Sequence, residues 1–152
     1  MRRLAPPSLP TERLAEQHQA ASAMIDRLLK LSETCDSHDQ AYCLSLQVAK
    51  LASLLRVHFA QEDCTLYATL FDCGDPEVSR IALDYFQDLG GLAEKLEMFA
   101  FGWCTADAIS SGFDRFRPEL VELCTQLARR IALENAYLYP LAESVLARRL
   151  AA

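Results

Sequence analysis

Two stretches of the sequence place a glutamate at the same point of a repeated pattern. HFAQEDCTLY begins at His58 and contains Glu62, while RIALENAYLY begins at Arg130 and contains Glu134. Side chains four positions apart lie on one face of a helix, so His58 and Glu62 could bind one metal ion together. The same position in the second stretch offers a permanent cation instead of an imidazole. The spacing alone is weak evidence, because many helices carry such a pair on a solvated face.

The pattern gains weight because both glutamates continue apolar helical stripes. The stripes follow spacings of three and four and comprise Leu44, Val48, Leu51, Leu55, His58, Glu62 and Leu66 in one helix and Phe116, Leu120, Leu123, Leu127, Arg130, Glu134, Leu138, Leu141 and Val145 in another. His18 and Tyr85 interrupt the stripes of two further helices. Buried charge is tolerated where it is paired or bound to a metal. We therefore expect one polar layer in a bundle core, formed by His18, His58, Glu62, Tyr85, Arg130 and Glu134.

Composition limits the classes of protein that the chain can represent. Its 152 residues, half of them apolar, suffice for one domain. A net charge of −6 disfavours nucleic acid as a partner. No run of apolar residues is long enough to predict a membrane span, and the start MRRLAPPSLP lacks the apolar run of a secretory signal. Six scattered cysteines without a C-x-x-C pair favour free thiols, so we expect a cytoplasmic protein.

The signals for helix ends predict four helices after a short tail. Ser37 followed by Gln40 is typical of a capping box, and Gly74, Asp75 and Pro76 form the sharpest boundary in the sequence. The stretch CTADAISSG is expected to connect the last two helices, the second of which begins between residues 113 and 118. The predicted elements are an irregular tail over residues 1–10 and a bundle over 11–152, with helices over about 11–33, 37–71, 76–102 and 113–150.

These residues resemble those of the hemerythrin-like domains. The pattern of that family has a His in the first helix, H-F-x-x-E-[ED]-x-x-x-Y in the second, E-H in the third and H-I-x-x-E-[EX]-x-x-L-[FY]-P in the fourth. The resemblance covers about residues 11 to 145, through LAEQHQAASAMIDRLLKL, HFAQEDCTLY and IALENAYLYP. LDYFQDL stands where E-H would be, and the resemblance implies an all-α, up-down-up-down four-helix bundle.

The resemblance also implies a metal site, with two departures from the family pattern. Such domains usually hold two irons, one bound by histidines of the first two helices and one by histidines of the last two, with two bridging carboxylates. On this chain the implied metal residues are His18, His58, Glu62 and Glu134. Tyr85 stands in place of the third-helix histidine and Arg130 in place of the fourth-helix histidine. One half of the site keeps its imidazoles, and the other half loses both.

Three interpretations follow from these departures. In the first, the four residues bind a single iron, or zinc or manganese, with Tyr85 as a fifth ligand or lining residue and Arg130 replacing the second cation. Its function would be sensing or binding of metal, oxygen or a related small ligand, without a catalytic residue. In the second, the bundle is metal-free and serves as an interaction or regulatory module. The third, an intact two-metal site, needs ligands that the sequence lacks. The partners that remain open are a small ligand such as oxygen and a second copy in a homodimer, but not nucleic acid or a membrane.

Overall fold

Four long helical segments run through residues 10–152, which are the residues that the computed structural model describes. The first segment is α1 (Pro10–Glu33), and the second is α2 (His38–Gln61), a π-helical segment π1 (Glu62–Tyr67) and α3 (Ala68–Phe71). The third is α4 (Pro76–Leu89) with α5 (Gly91–Gly102), followed by the short α6 (Ala106–Ser111). The fourth is α7 (Phe113–Leu133), a second π-helical segment π2 (Glu134–Leu138) and α8 (Tyr139–Ala151). The predicted all-α four-helix bundle is confirmed.

The helix ends follow the predicted capping residues. The Ser37 hydroxyl accepts a hydrogen bond from the Gln40 backbone N–H at the start of α2. Asp75 accepts from the N–H groups two and three residues further on, and Pro76 is the first residue of α4. Gly74 has a φ of 77°, a conformation that favours glycine. The predicted irregular tail lies outside the described residues, apart from Pro10, with which α1 begins.

Two features of the second half differ from the prediction. The third helix, predicted to be continuous, is interrupted at Gly90, where a Cβ atom would lie 2.6 Å from the Phe86 carbonyl oxygen. The expected connection between the third and fourth helices folds into α6, because the Thr105 hydroxyl accepts from the Ala108 N–H as an N-cap. Ile109 of that short helix is fully buried in the core. No helix of the described residues is both long and apolar enough to cross a membrane.

Two apolar clusters fill the bundle, one on each side of a polar layer. The large apolar cluster is formed chiefly by Ala21, Ile25, Leu28, Leu44, Val48, Leu51, Leu55, Phe59, Leu96, Phe99, Trp103, Ile109, Phe116, Leu120, Leu123 and Leu127. The small apolar cluster is formed by Leu14, Leu66, Tyr67, Leu70, Val78, Ala82, Leu138, Tyr139, Ala142 and Val145. Along three of the long segments, the residues between the two clusters include the buried histidines, glutamates and arginine of the predicted layer.

Candidate metal centre

Four potential metal ligands converge between the two apolar clusters. His18 comes from α1 and His58 from the last turn of α2, while Glu62 and Glu134 are the first residues of π1 and π2. All four side chains are buried, and one potential ligand atom from each lies within 4.8 Å of the others. The structure therefore brings together the four residues that were predicted from the sequence to be metal ligands.

Amide side chains fix the orientation of both imidazole rings. The Nδ1 atom of His18 lies 2.7 Å from Oδ1 of Asn135, and Nδ1 of His58 lies 2.7 Å from Oε1 of Gln17. An amide oxygen can only accept, so each Nδ1 carries the proton and donates it. The lone pair of each histidine is then on Nε2, the atom that faces the interior. Metal-binding histidines are commonly held this way, with one ring nitrogen donating to an outer partner.

Both Nε2 atoms lie close to one carboxylate oxygen. All three atoms are hydrogen-bond acceptors, and there are too few protons for each of them to accept a hydrogen bond. Nε2 of His58 lies 3.0 Å from Oε1 of Glu62, but no hydrogen bond joins the two atoms, and this nitrogen has no hydrogen-bond partner among the described residues. Nε2 of His18 lies 3.7 Å from the same oxygen. Ligand atoms that share a metal ion are roughly 3.0 to 3.5 Å apart. Three lone pairs at about these separations fit a bound cation.

The hydroxyl of Tyr139 is the one donor among these acceptors. It donates to Oε1 of Glu62 over 2.8 Å and lies 3.1 Å from Nε2 of His18, whose ring is stacked on the tyrosine ring. Burial, together with the nearby charges of Glu62 and Glu134, raises the pKa of Tyr139 far above its ordinary value. The phenol therefore stays protonated and acts as a donor.

Arg130 occupies the other side of the two glutamates. Its Nε donates to Oε1 of Glu134 over 2.6 Å, and its Nη2 donates to Oε2 of Glu62 over 2.9 Å. Its Nη1 donates to the carbonyl oxygen of Leu89, the last residue of α4, over 3.1 Å. The guanidinium also stacks on the ring of Phe59 at 3.9 Å from its centroid. A fixed positive charge thus bridges the two carboxyl groups from the side opposite the histidines.

Burial and the contacts among these groups shift their pKa values in different directions. Burial lowers the pKa of His18 to about 4, so the ring is neutral at neutral pH. Burial raises the pKa of Glu62, but the neighbouring Glu134 and His58 and the positive charge of Arg130 outweigh burial and bring the pKa to about 2. Burial and then Glu62 raise the pKa of Glu134 well above its ordinary value. Glu62 is therefore the more acidic member of the pair.

The tyrosine at the site is not the one that the sequence suggested. Tyr85 is partly buried and packs against the small apolar cluster, whereas Tyr139 reaches Glu62 and His18. The reason is π2, in which the Tyr139 N–H bonds to the carbonyl of Glu134, five residues back. In an α-helix the fifth residue would point about 140° away from Glu134. The wider turn returns Tyr139 to the face of the glutamate.

Sequence reasoning also missed the amides that hold the histidines. Gln17 precedes His18 in the chain but contacts His58 on the next helix, and its Nε2 donates to Gln61 over 2.8 Å. Asn135 follows Glu134 directly and contacts His18. The signal available in the sequence was only their adjacency to predicted ligands, and adjacency does not show which helix an amide side chain faces.

Comparison with known proteins agrees with the bundle and its polar layer. The family model of the hemerythrin HHE cation-binding domain matches residues 9–142. No curated protein and no solved structure matches the chain. A domain of this family implies metal or ligand binding, and the buried residues His18, His58, Glu62 and Glu134 could hold a metal ion. Because the match extends over most of the described helices, the chain belongs to the hemerythrin HHE cation-binding domain family.

Proposed function

We propose that this protein binds one divalent metal ion, with iron as the first candidate, and presents it to a small ligand such as oxygen. His18, His58 and Glu62 would hold the ion, and Glu134 lies within reach as a fourth ligand. Two imidazoles with a carboxylate suit iron, and zinc and manganese accept the same donor types. The observation that carries the proposal is the convergence of both Nε2 atoms on Oε1 of Glu62, with one proton, that of the Tyr139 hydroxyl, for these three acceptor atoms.

We propose a single ion because Arg130 occupies the place of a second ion and carries a positive charge there. The guanidinium donates to Glu62, to Glu134 and to a backbone carbonyl at once. A second cation beside Glu62 and Glu134 would meet this fixed positive charge. An arginine cannot relieve the repulsion by losing its proton, because its pKa lies far above neutral pH.

The residues of this chain prepare the site in three ways. Gln17 and Asn135 hold the imidazoles with Nε2 facing inward. The Tyr139 hydroxyl lies between Glu62 and His18, and it can donate a hydrogen bond to a small ligand bound beside these residues. The apolar clusters on both sides exclude bulk water, which strengthens each electrostatic interaction in the layer. A metal ion bound there would supply open coordination positions for the small ligand.

A metal-free interaction module is the second candidate function. The observation that favours it is the ion-pair network of Arg130 with Glu62 and Glu134, which neutralises the buried charge of the layer by itself. In this case the two histidines would serve only as packed, hydrogen-bonded core residues. Metal stoichiometry separates the two candidates.

The test is metal content and metal titration of protein purified without added metal. We expect the parent chain to bind close to one equivalent of iron(II) under anaerobic conditions, measured by elemental analysis after desalting. His58→Ala should bind none, because it removes one imidazole from the set. His38→Ala is the matched control, since His38 is exposed and pairs with Asp107 outside the layer. A parent chain that binds no iron, zinc or manganese would contradict the proposed metal binding and leave the metal-free candidate, and two equivalents would contradict the role of Arg130.

Gln17→Leu should weaken metal binding without removing a ligand. Loss of the outer partner of His58 frees its ring to rotate and to change tautomer, which typically costs about 10- to 100-fold in metal affinity. The affinity is measured by competition with a coloured chelator. Gln19→Leu, on an exposed position of the same helix, should leave it unchanged. Equal affinities for the parent and Gln17→Leu would show that the amide does not orient the ligand.

A further inference from the structure

A surface groove between α5 and α7 lies outside the polar layer. Its volume is about 580 Å³, a size typical of sites that take a ligand or an anchoring side chain. Phe99, Trp103 and Leu123 of the large apolar cluster line it, and each is at least nine-tenths buried. Gly102 lies on the same wall, where a Cβ atom would meet nothing within 4 Å. The groove therefore has an apolar lining and an open space above a glycine.

The residues beside this open space protrude from the same helix. Phe101 is 84% exposed and Met98 is 68% exposed, and they are among the most exposed large apolar side chains of the described residues. Met98 also lines the groove, so apolar surface continues from the groove onto the outer face of α5. Exposed apolar side chains that continue an apolar groove favour an interaction site. A protruding aromatic ring beside an open groove is a self-complementary arrangement.

The charges at the groove indicate which partner fits. Its polar residues include two cations, Lys95 and Arg115, and two acids, Glu119 and Glu122. A strongly acidic or strongly basic partner would meet like charges at two of these four positions. A second copy of the chain, related by a two-fold axis, brings its own two cations and two acids to the groove, so that opposite charges can face each other. The contacts of the two cations are exposed and long, 3.3 Å from Arg115 to Glu119 and 3.3 Å from Lys95 to Gln126, so these cations can exchange partners. Glu119 is also held by the Trp103 Nε1–H over 2.9 Å.

We propose that this groove is a homodimer interface in which Phe101 of each copy inserts above Gly102 of the other. Within the groove the ring would lie against the side chain of Trp103 and near the guanidinium of Arg115, which already stacks on that tryptophan at 5.7 Å. Aromatic anchors seated in pockets dominate the energy of such interfaces. None of the four candidate metal ligands lines the groove, so dimerisation does not rest on the proposed metal binding.

The experiment is sedimentation velocity of the whole chain in EDTA, from about 1 to 100 µM, a range that brackets dissociation constants in the micromolar range. We expect the parent to dimerise within this range. Phe101→Ser removes the protruding ring, and Gly102→Leu places a side chain in the groove at a position where a Cβ atom meets nothing within 4 Å and φ is not positive. Each substitution should raise the dissociation constant by roughly 30-fold or more, the effect of removing a central anchor.

Leu83→Ser is the matched control, because Leu83 is an exposed apolar residue on α4, away from the groove lining. It should leave the dissociation constant unchanged, and thermal melts followed by circular dichroism should show that each variant is folded. A parent that stays monomeric at about 100 µM overturns the proposal. A parent dimer that keeps its affinity in both Phe101→Ser and Gly102→Leu overturns it as well, because the interface would then lie elsewhere.

Discussion

Arg130→Ala is expected to lower the free energy of unfolding of the metal-free protein by roughly 3 to 5 kcal/mol. The substitution removes the only guanidinium that contacts Glu62 and Glu134 among the described residues. Glu62, whose pKa is about 2 partly because of this guanidinium, would lose the cation beside it. The carbonyl of Leu89 would also lose a donor. A buried charge that loses its partner costs far more than an exposed one.

Urea denaturation in EDTA measures this change, with Arg129→Ala as a matched control. Arg129 is the preceding residue, but it is exposed and pairs with Asp88 at 3.4 Å, so its loss should cost less than about 1 kcal/mol. Adding Glu62→Gln to Arg130→Ala should recover part of the loss, because it removes the buried charge that Arg130 neutralises. If Arg130→Ala and Arg129→Ala unfold at the same urea concentration as the parent, the guanidinium does not neutralise the layer.

His18 should make the metal-free protein less stable as the pH falls from about 6.5 to about 4. The unfolded chain takes up a proton on this residue below about pH 6.5, whereas burial delays uptake in the folded chain until about pH 4. Between these values the unfolded state holds more protons, so the free energy of unfolding decreases as the pH is lowered. The shift corresponds to on the order of 3 kcal/mol, fully present above pH 6.5 and lost by pH 4.

The contribution of His18 must be separated from that of Glu134, whose raised pKa acts in the opposite sense. Glu134 keeps its proton in the folded state above its unfolded pKa, so its contribution to stability decreases as the pH rises. The difference between the parent and His18→Gln, measured across the same pH range in EDTA, isolates the histidine. His38→Gln is the control, since His38 is exposed. If the stabilities of the parent and of His18→Gln change in parallel with pH, folding does not lower the pKa of His18.

The sequence predicted the bundle and the polar layer well where the helices are regular. His18, His58 and Arg130 lie in α-helical turns, so spacings of three and four place them on the correct face. Glu62 and Glu134 begin the π-helical segments, and up to that point the α-helical phase still holds. Apolar periodicity is therefore a sound guide to which residues share a core layer, as long as the helix keeps its pitch.

The prediction was less accurate where the pitch changes or where long side chains cross between helices. Tyr139 lies beyond the wide turn of π2, and α-helical phasing assigns it to the wrong face. The third helix is interrupted at Gly90, and the tyrosine predicted to line the layer, Tyr85, packs on the small apolar cluster. Gln17 contacts a histidine on the neighbouring helix. A one-dimensional pattern of apolar residues does not contain this information, since each case depends on local backbone geometry or on the rotamer of a flexible side chain.

The two π-helical segments also determine where this chain can lose a residue. If one residue were deleted within π2, the turn that now spans five residues could close over four with regular α-helical hydrogen bonds. Tyr139 would then follow Glu134 by four positions and stay on the face of the glutamate and His18, and Val145 would stay in the small apolar cluster. A deletion in the regular turns of α7 would instead rotate everything after it by about 100°. The π-helical segments are therefore the places at which the length of the chain can change with the least effect on the polar layer.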